Sequence, residues 1–250
     1  MNAKQTTDEL TGFVKKSFEK AGFKNAVIAM SGGVDSSTSA ALAVRALGAI
    51  NIYPLLLPYG SLNPLVDVQM VIKYLGIPKE NVNTIDIQPL VEEVVALDEA
   101  MDKIRRGNIM ARVRMIVLFD QAKKKNALVI GTENKTEHLL GYYTRFGDEG
   151  SDIEPLRNLY KTQVRELARA LGLPEAIITI TPTAGLWQGQ TDEGEFGFTY
   201  KEADEILSLV VDEQQSVATV VAKGFDWAVV EKVVKRMNDN TFKQHLPIVP

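Results

Sequence analysis

The chain has 250 residues, 45% of them hydrophobic and 24% charged, and a formal net charge of -4. That composition belongs to a folded globular protein with an ordinary core, and its acidic balance argues against a nucleic-acid binder, which needs a basic face. With no cysteine and only two histidines, His138 and His245, the sequence excludes disulfides, thiolate nucleophiles and cysteine or multi-histidine metal centres.

The opening "MNAKQTTDELTGFVKKSFEKAG" lacks the unbroken apolar stretch of a signal peptide and predicts an amphipathic helix. No run approaches the ~20 apolar residues of a membrane span, so a cytoplasmic protein without membrane contact is expected. Residues 25–30 (NAVIAM) predict a buried strand, 35–47 a helix closed by Gly48, and 50–57 a second strand. A helix is predicted over 66–75, a third strand over 82–87 and a helix over 90–102. Over 107–125 a long helix puts Ile109, Val113, Ile116 and Val117 on one stripe. A fourth strand follows at 127–131, then helices at 135–141, 160–171, 175–180, 199–211, 214–222 and 226–237.

Strands alternating with helices imply βαβ units and a parallel sheet. The expected fold class is α/β, a Rossmann-like doubly wound sheet flanked by helices, as one domain over 1–250. In such sheets ligands bind beyond the carboxyl ends of the strands, at the point where strand order reverses.

The first strand runs into "SGGVDSS", residues 31–37, which opens the next helix. Gly32 and Gly33 let the backbone approach a ligand closely. The amides of Ser31, Gly32, Gly33 and Val34 then form an anion nest, the helix N-terminus adds partial positive charge, and Ser31, Ser36 and Ser37 add hydroxyls. Neither the Walker pattern nor GxGxxG is present. Asp35 cannot sit among phosphates unless a cation lies between them, which makes it a candidate Mg2+ ligand.

This strand–SGGxDS–helix string resembles the signature of the PP-loop ATP pyrophosphatases. That resemblance implies ATP cleavage to AMP and pyrophosphate, with adenylation of a substrate carboxylate or carbonyl. Further along, "GNIMARVRM" (107–115), "GTENKTEHLLGYYTRFGDEGSDIEPLRNLYKTQVRELA" (131–168) and "PTAGLWQGQTDEGEFGFTY" (182–200) resemble the NAD synthetase family, in the right order from about Ala26 to Tyr200. The implied reaction is amidation of deamido-NAD to NAD+ with ammonia, at the expense of ATP.

By that resemblance Asp35 and Glu137 hold Mg2+. Thr132, Thr183 and Lys161 contact ATP, Lys161 as a point charge at the phosphates. Arg112, Arg145, Asp152 and Lys243 contact deamido-NAD, Asp152 accepting from either a ribose or the incoming ammonia; Asp35, Lys161 and Asp152 form the catalytic set. Tyr142, Tyr143 and Phe146 fit either a stacking surface or the core. Loop 58–64 and Gln69 are placed near adenine or ribose, and the glycine-rich loop 185–197 reads as a mobile lid in which Leu186 and Trp187 are unusual residues to leave exposed.

The family's C-terminal histidine–lysine pair is half kept: Lys243 fits, Phe242 stands where the histidine is expected, and His245 is displaced by three positions. The family is homodimeric, and the 107–125 helix is the expected interface. Without a cysteine for a glutaminase nucleophile the chain is expected to use free ammonia, unless a separate glutaminase subunit delivers it. The alternatives are another PP-loop amidating ligase, such as a GMP-synthetase-like domain, or an ATP-binding regulatory module without catalysis.

Overall fold

The structure, a computed structural model, describes residues 1–63 and 65–244. His245 lies outside them. Four strands, β1 (Asn25–Ala29), β2 (Ile52–Leu56), β3 (Asn83–Thr84) and β4 (Ala127–Val129), form one parallel sheet in the order β3-β2-β1-β4. Val27 lies opposite both Tyr53 of β2 and Val129 of β4. The chain steps outward from β1 to β2 and β3, then crosses back to place β4 on the other side of β1. The switch point therefore lies at the carboxyl end of β1, where the glycine loop begins.

Alternate strand residues feed two cores, as a sheet covered on both faces requires. Ala26, Ile28, Ile52 and Leu56 join one cluster; Val27, Leu55, Ala127 and Val129 join the other. The first is covered by α1 (Ala3–Ala21), α2 (Val34–Leu47), α3 (Val66–Tyr74), α7 (Lys161–Ala170) and α8 (Glu175–Ile178), the second by α4 (Gln88–Val95) and α5 (Lys103–Lys125). A third cluster, built around Leu140, Tyr200, Ile206, Val220 and Val233, packs α6 (Lys135–Leu140) with α10 (Tyr200–Leu207), α11 (Val217–Ala222) and α12 (Trp227–Asn240).

Most departures from the sequence expectation are at element ends. The third strand is only two residues long, although Ile85 and Ile87 still donate to Leu56 and Pro58 at 2.9 Å each. Between them the Asp86 side chain accepts from the Gly60 and Gln88 amides. The helix expected to run to 102 ends at Val95, and Asp102 instead caps α5, accepting from Ile104 and Arg105 at 2.8 Å each.

On α5, Val113 is buried with Ile109 and Val117 packed beside it, but Ile116 is 61% exposed. The buried face of α5 is centred on Met110, Leu118 and Gln121, so Val113 lies at its edge and Ile116 beyond it. The loop over 185–197 contains a short helix, α9 (Asp192–Phe196), capped by Thr191. The helix expected over 199–211 ends at Leu207 and continues as one π-helical turn, Ser208–Asp212. Among the described residues no helix is long and apolar enough to cross a membrane.

Candidate active site

The loop after β1 is shaped by its two glycines. Gly32 has φ +87°, and a Cβ there would lie 3.0 Å from the Val68 backbone nitrogen on α3, so both conformation and space exclude a side chain. Gly33 caps α2 without a side chain, leaving the first amides of the helix free. The loop borders a cleft of about 380 Å³ that Ser31, Gly32, Gly33, Val34, Asp35 and Ser36 line. Ser37 does not reach it: the side chain is fully buried and the hydroxyl donates to the Gly33 carbonyl at 2.8 Å.

Three helix starts converge on this cleft. Asp35 lies in the first turn of α2, Glu137 in the first turn of α6, and Lys161 is the first residue of α7. Lys161 Nζ lies 2.5 Å from Asp35 Oδ2 and 3.0 Å from Glu137 Oε1, with its side chain only 4% exposed. Burial opposes the lysine's charge, but the two carboxylates outweigh it and hold the ammonium protonated. For Glu137 burial and the Asp35 charge push the carboxyl up, against the pull of Lys161.

Asn134, which the sequence reading did not single out, assembles the pair. Its Oδ1 accepts from the Glu137 amide at 3.0 Å, Glu137 Oε2 accepts from the Asn134 amide at 3.3 Å, and Asn134 Nδ2 donates to Asp35 Oδ1 at 2.9 Å. This capping box gives Glu137 two tasks, one per oxygen: one closes the helix start, the other faces the cleft. The N-x-x-E spacing in "NKTE" was the available signal.

Beneath it, buried Asp204 of α10 accepts from Thr136 Oγ1 at 2.5 Å and from the Thr162 amide at 2.7 Å, while Thr136 Oγ1 accepts from the Lys161 amide at 2.9 Å. The starts of α6 and α7 are thereby fixed to one carboxylate.

Thr132, at the end of β4, and Thr183 also line the cleft. Three further acids face it that the sequence did not single out: Asp67 in the first turn of α3, Asp148 and Asp192. Asp192, in the loop read as a lid, accepts from Tyr200 at 2.8 Å and Tyr142 at 3.0 Å. Asp148 also borders an adjoining cavity of about 210 Å³ that contains Arg114. Asp148 is exposed at the cleft, and its Oδ1 accepts from the Thr144 amide at 2.8 Å.

The residues expected at deamido-NAD divide. Arg112 donates to the Arg145 carbonyl at 3.2 Å, the Arg145 guanidinium lies 5.0 Å from the Phe242 ring centroid, and Lys243 donates to the Gly141 and Tyr143 carbonyls at 2.6 and 3.2 Å. They gather at the 141–147 turn, outside the phosphate cleft. Asp152 joins neither group: it is exposed, and its carboxylate accepts from the Val129 amide at 2.7 Å. Tyr143 is buried, Tyr142 lines the cleft, and Phe146 is 60% exposed.

Loop 58–64 contributes Leu62 and Asn63 to the cleft, whereas Gln69 is exposed away from it. Leu186 and Trp187 are half-buried, Leu186 seated against Gly107 and Trp187 under the Lys103 ammonium at 4.8 Å.

Paired acids, a lysine and an open helix N-terminus thus meet in one cleft at the switch point of a doubly wound α/β frame, a frame and cleft suited to a nucleotide. The NAD synthase family model matches residues 6–247, and the chain belongs to that family. The NH(3)-dependent NAD(+) synthetase of Fusobacterium nucleatum is 42% identical over 251 residues, covering 100% of this chain and 96% of that protein. The fold is similar to that of an NMN synthetase from Francisella tularensis, with TM-score 0.86 and 35% identity over 100% of this chain and 99% of that one. It is likewise similar to an NH3-dependent NAD synthetase from Campylobacter jejuni, with TM-score 0.84 and 29% identity over the whole of both chains.

Proposed function

We propose that this chain amidates deamido-NAD with ammonia, converting ATP to AMP and pyrophosphate and yielding NAD+. The observation that carries the reading is the convergence of Asp35, Glu137 and Lys161, from three separated helix starts, beside the open N-terminus of α2.

The nicotinate carboxylate attacks the α-phosphorus of ATP, and pyrophosphate leaves into the Ser31–Ser36 loop. Free amides at the start of α2 hold the departing phosphates, and Lys161 supplies positive charge where negative charge grows. Ammonia then displaces AMP from the acyl adenylate. Asp148, which lines the cleft, supplies a carboxylate that can take a proton from the ammonia nitrogen. The protein forms no covalent bond to substrate; positioning and electrostatics supply the catalysis.

The donor set fits Mg2+. Asp35 Oδ2 and Glu137 Oε1 are hard oxygen ligands aimed at one point, and among the described residues no third acid or histidine completes a protein cage, which leaves room for phosphate and water oxygens. When bound there, Mg2+ would neutralise charge on the phosphates.

The 250 residues contain no cysteine to serve as a glutaminase nucleophile, which supports free ammonia as nitrogen donor. Dependence on ATP favours a cytoplasmic location. The family resemblance supports a homodimer with deamido-NAD at its interface.

Incubation with ATP, Mg2+, deamido-NAD and either ammonium or glutamine tests the reading. NAD+, AMP and pyrophosphate are expected with ammonium only; ADP as product, or turnover on glutamine alone, contradicts it. A second reading, amidation of the mononucleotide to NMN, is favoured by the fold match to the Francisella protein. A larger kcat/KM for nicotinate mononucleotide than for deamido-NAD would select it.

A further inference from the structure

Each carboxylate of the clamp keeps one oxygen for structure and offers the other to the cleft. Asn134 occupies Asp35 Oδ1 and, through its amide, Glu137 Oε2. The two remaining oxygens, Asp35 Oδ2 and Glu137 Oε1, both point at Lys161 Nζ, at 2.5 and 3.0 Å. The ammonium therefore stands at the place from which a cation bridging the two acids would bond them. A second cation on those oxygens would be repelled by the ammonium in a site where little water screens the two.

The lysine is held there from behind. Its amide donates to Thr136 Oγ1 and the next amide to Asp204, so the start of α7 is fixed, and its ammonium sits 4.8 Å from the Tyr200 ring centroid. Only the flexible side chain is free to move. Asp192 lines the same cleft and offers negative charge away from the pair, and the glycine loop supplies the anion cradle into which phosphates come.

We infer that Lys161 is the resident counter-cation of the Asp35–Glu137 pair, that it excludes free divalent metal from the empty cleft, and that metal enters only together with the nucleotide. Triphosphate brings the negative charge that draws the ammonium off the carboxylates, and the vacated oxygens then take the ion that the phosphates carry. This rests on the assignment of Asp35 and Glu137 as the metal ligands. It makes Lys161 a gate on metal binding as well as a phosphate contact.

The test is a titration with Mn2+ followed by the paramagnetic signal of the free ion. Wild-type protein without nucleotide is expected to bind Mn2+ weakly, and Lys161→Met to bind one ion per chain at least about tenfold more tightly. With α,β-methylene ATP, which is not cleaved to pyrophosphate, wild type is expected to gain a tight Mn2+ site. A thermal melt gives a second readout: Mg2+ alone raises the Tm of Lys161→Met and leaves that of wild type unchanged.

Tight Mn2+ binding by wild type without nucleotide overturns the inference, and so does equal affinity in the two proteins. Should Lys161→Met not fold, the comparison of wild type with and without the analogue decides alone. Failure of the analogue to bring Mn2+, or an unchanged Mn2+ site in Asp35→Asn, overturns the metal assignment itself, an outcome distinct from tight binding to free wild type.

Discussion

The phosphate cleft and the 141–147 turn are both rich in charge, but they are built differently. In the cleft, Asp35, Glu137 and Lys161 each occupy the first turn of a helix, are largely shielded from water, and are fixed by Asn134, Thr136 and Asp204. At the turn, Arg112 and Lys243 donate to backbone carbonyls and Arg145 lies against an exposed Phe242. The first is preorganised by backbone geometry and sparing of water; the second has cationic groups whose hydrogen-bonding capacity is only partly used. Fixed, water-shielded charges are the kind that can lower a barrier, while exposed ones contribute less per residue.

Substitutions should follow that division. Asp35→Asn keeps the shape but removes charge from the clamp, and pyrophosphate release is expected to fall on the order of a thousandfold with an unchanged circular dichroism spectrum. A comparable loss of kcat from Arg145→Ala would erase the distinction. Asp204→Ala leaves the Thr162 amide and Thr136 hydroxyl without their buried acceptor, and chemical denaturation should show a loss of about 2–4 kcal/mol.

The next effect is on pH dependence. Behind the cleft, burial pushes Glu133 and Glu154 up to about 8 from an ordinary 4.5, against the pull of Arg157. The folded state therefore holds protons that the unfolded state has released. The associated stability is complete below about pH 4.5 and is lost as pH rises through about 8. Tm should fall across that interval, and Glu154→Gln should flatten the fall. A slope that steepens in Glu154→Gln would contradict the assignment. Smallest is Phe242→Ala, which removes one exposed cation–π contact; KM for deamido-NAD should rise a few-fold, about 0.5–1 kcal/mol, with kcat unchanged.

The same contrast separates what the sequence disclosed from what it hid. Asp35, Glu137 and Lys161 were legible because each follows a strand or opens a helix, where local pattern and motif coincide. Asn134 left a trace in its N-x-x-E spacing. Asp204, Asp192 and Asp148 left none: their roles come from partners 42 or more positions away for Asp204, from two tyrosine hydroxyls for Asp192, and from the cavity walls for Asp148. Ser37 read as a phosphate donor because the motif contains it, but its helical position turns the hydroxyl back to Gly33. Asp152 shares a motif with the substrate contacts and is held instead by the Val129 amide. The parallel sheet with two covered faces was readable from alternation alone, whereas the strand order and the two-residue edge strand were not.

The central claim is that the Asp35–Glu137–Lys161 cleft activates a carboxylate by adenylation. Its most direct test supplies deamido-NAD with heavy oxygen in the nicotinate carboxylate, together with ATP, Mg2+ and ammonium, and follows the label by mass spectrometry. The account predicts one labelled oxygen in the phosphate of AMP and none in pyrophosphate. Unlabelled AMP beside labelled pyrophosphate or inorganic phosphate would contradict it.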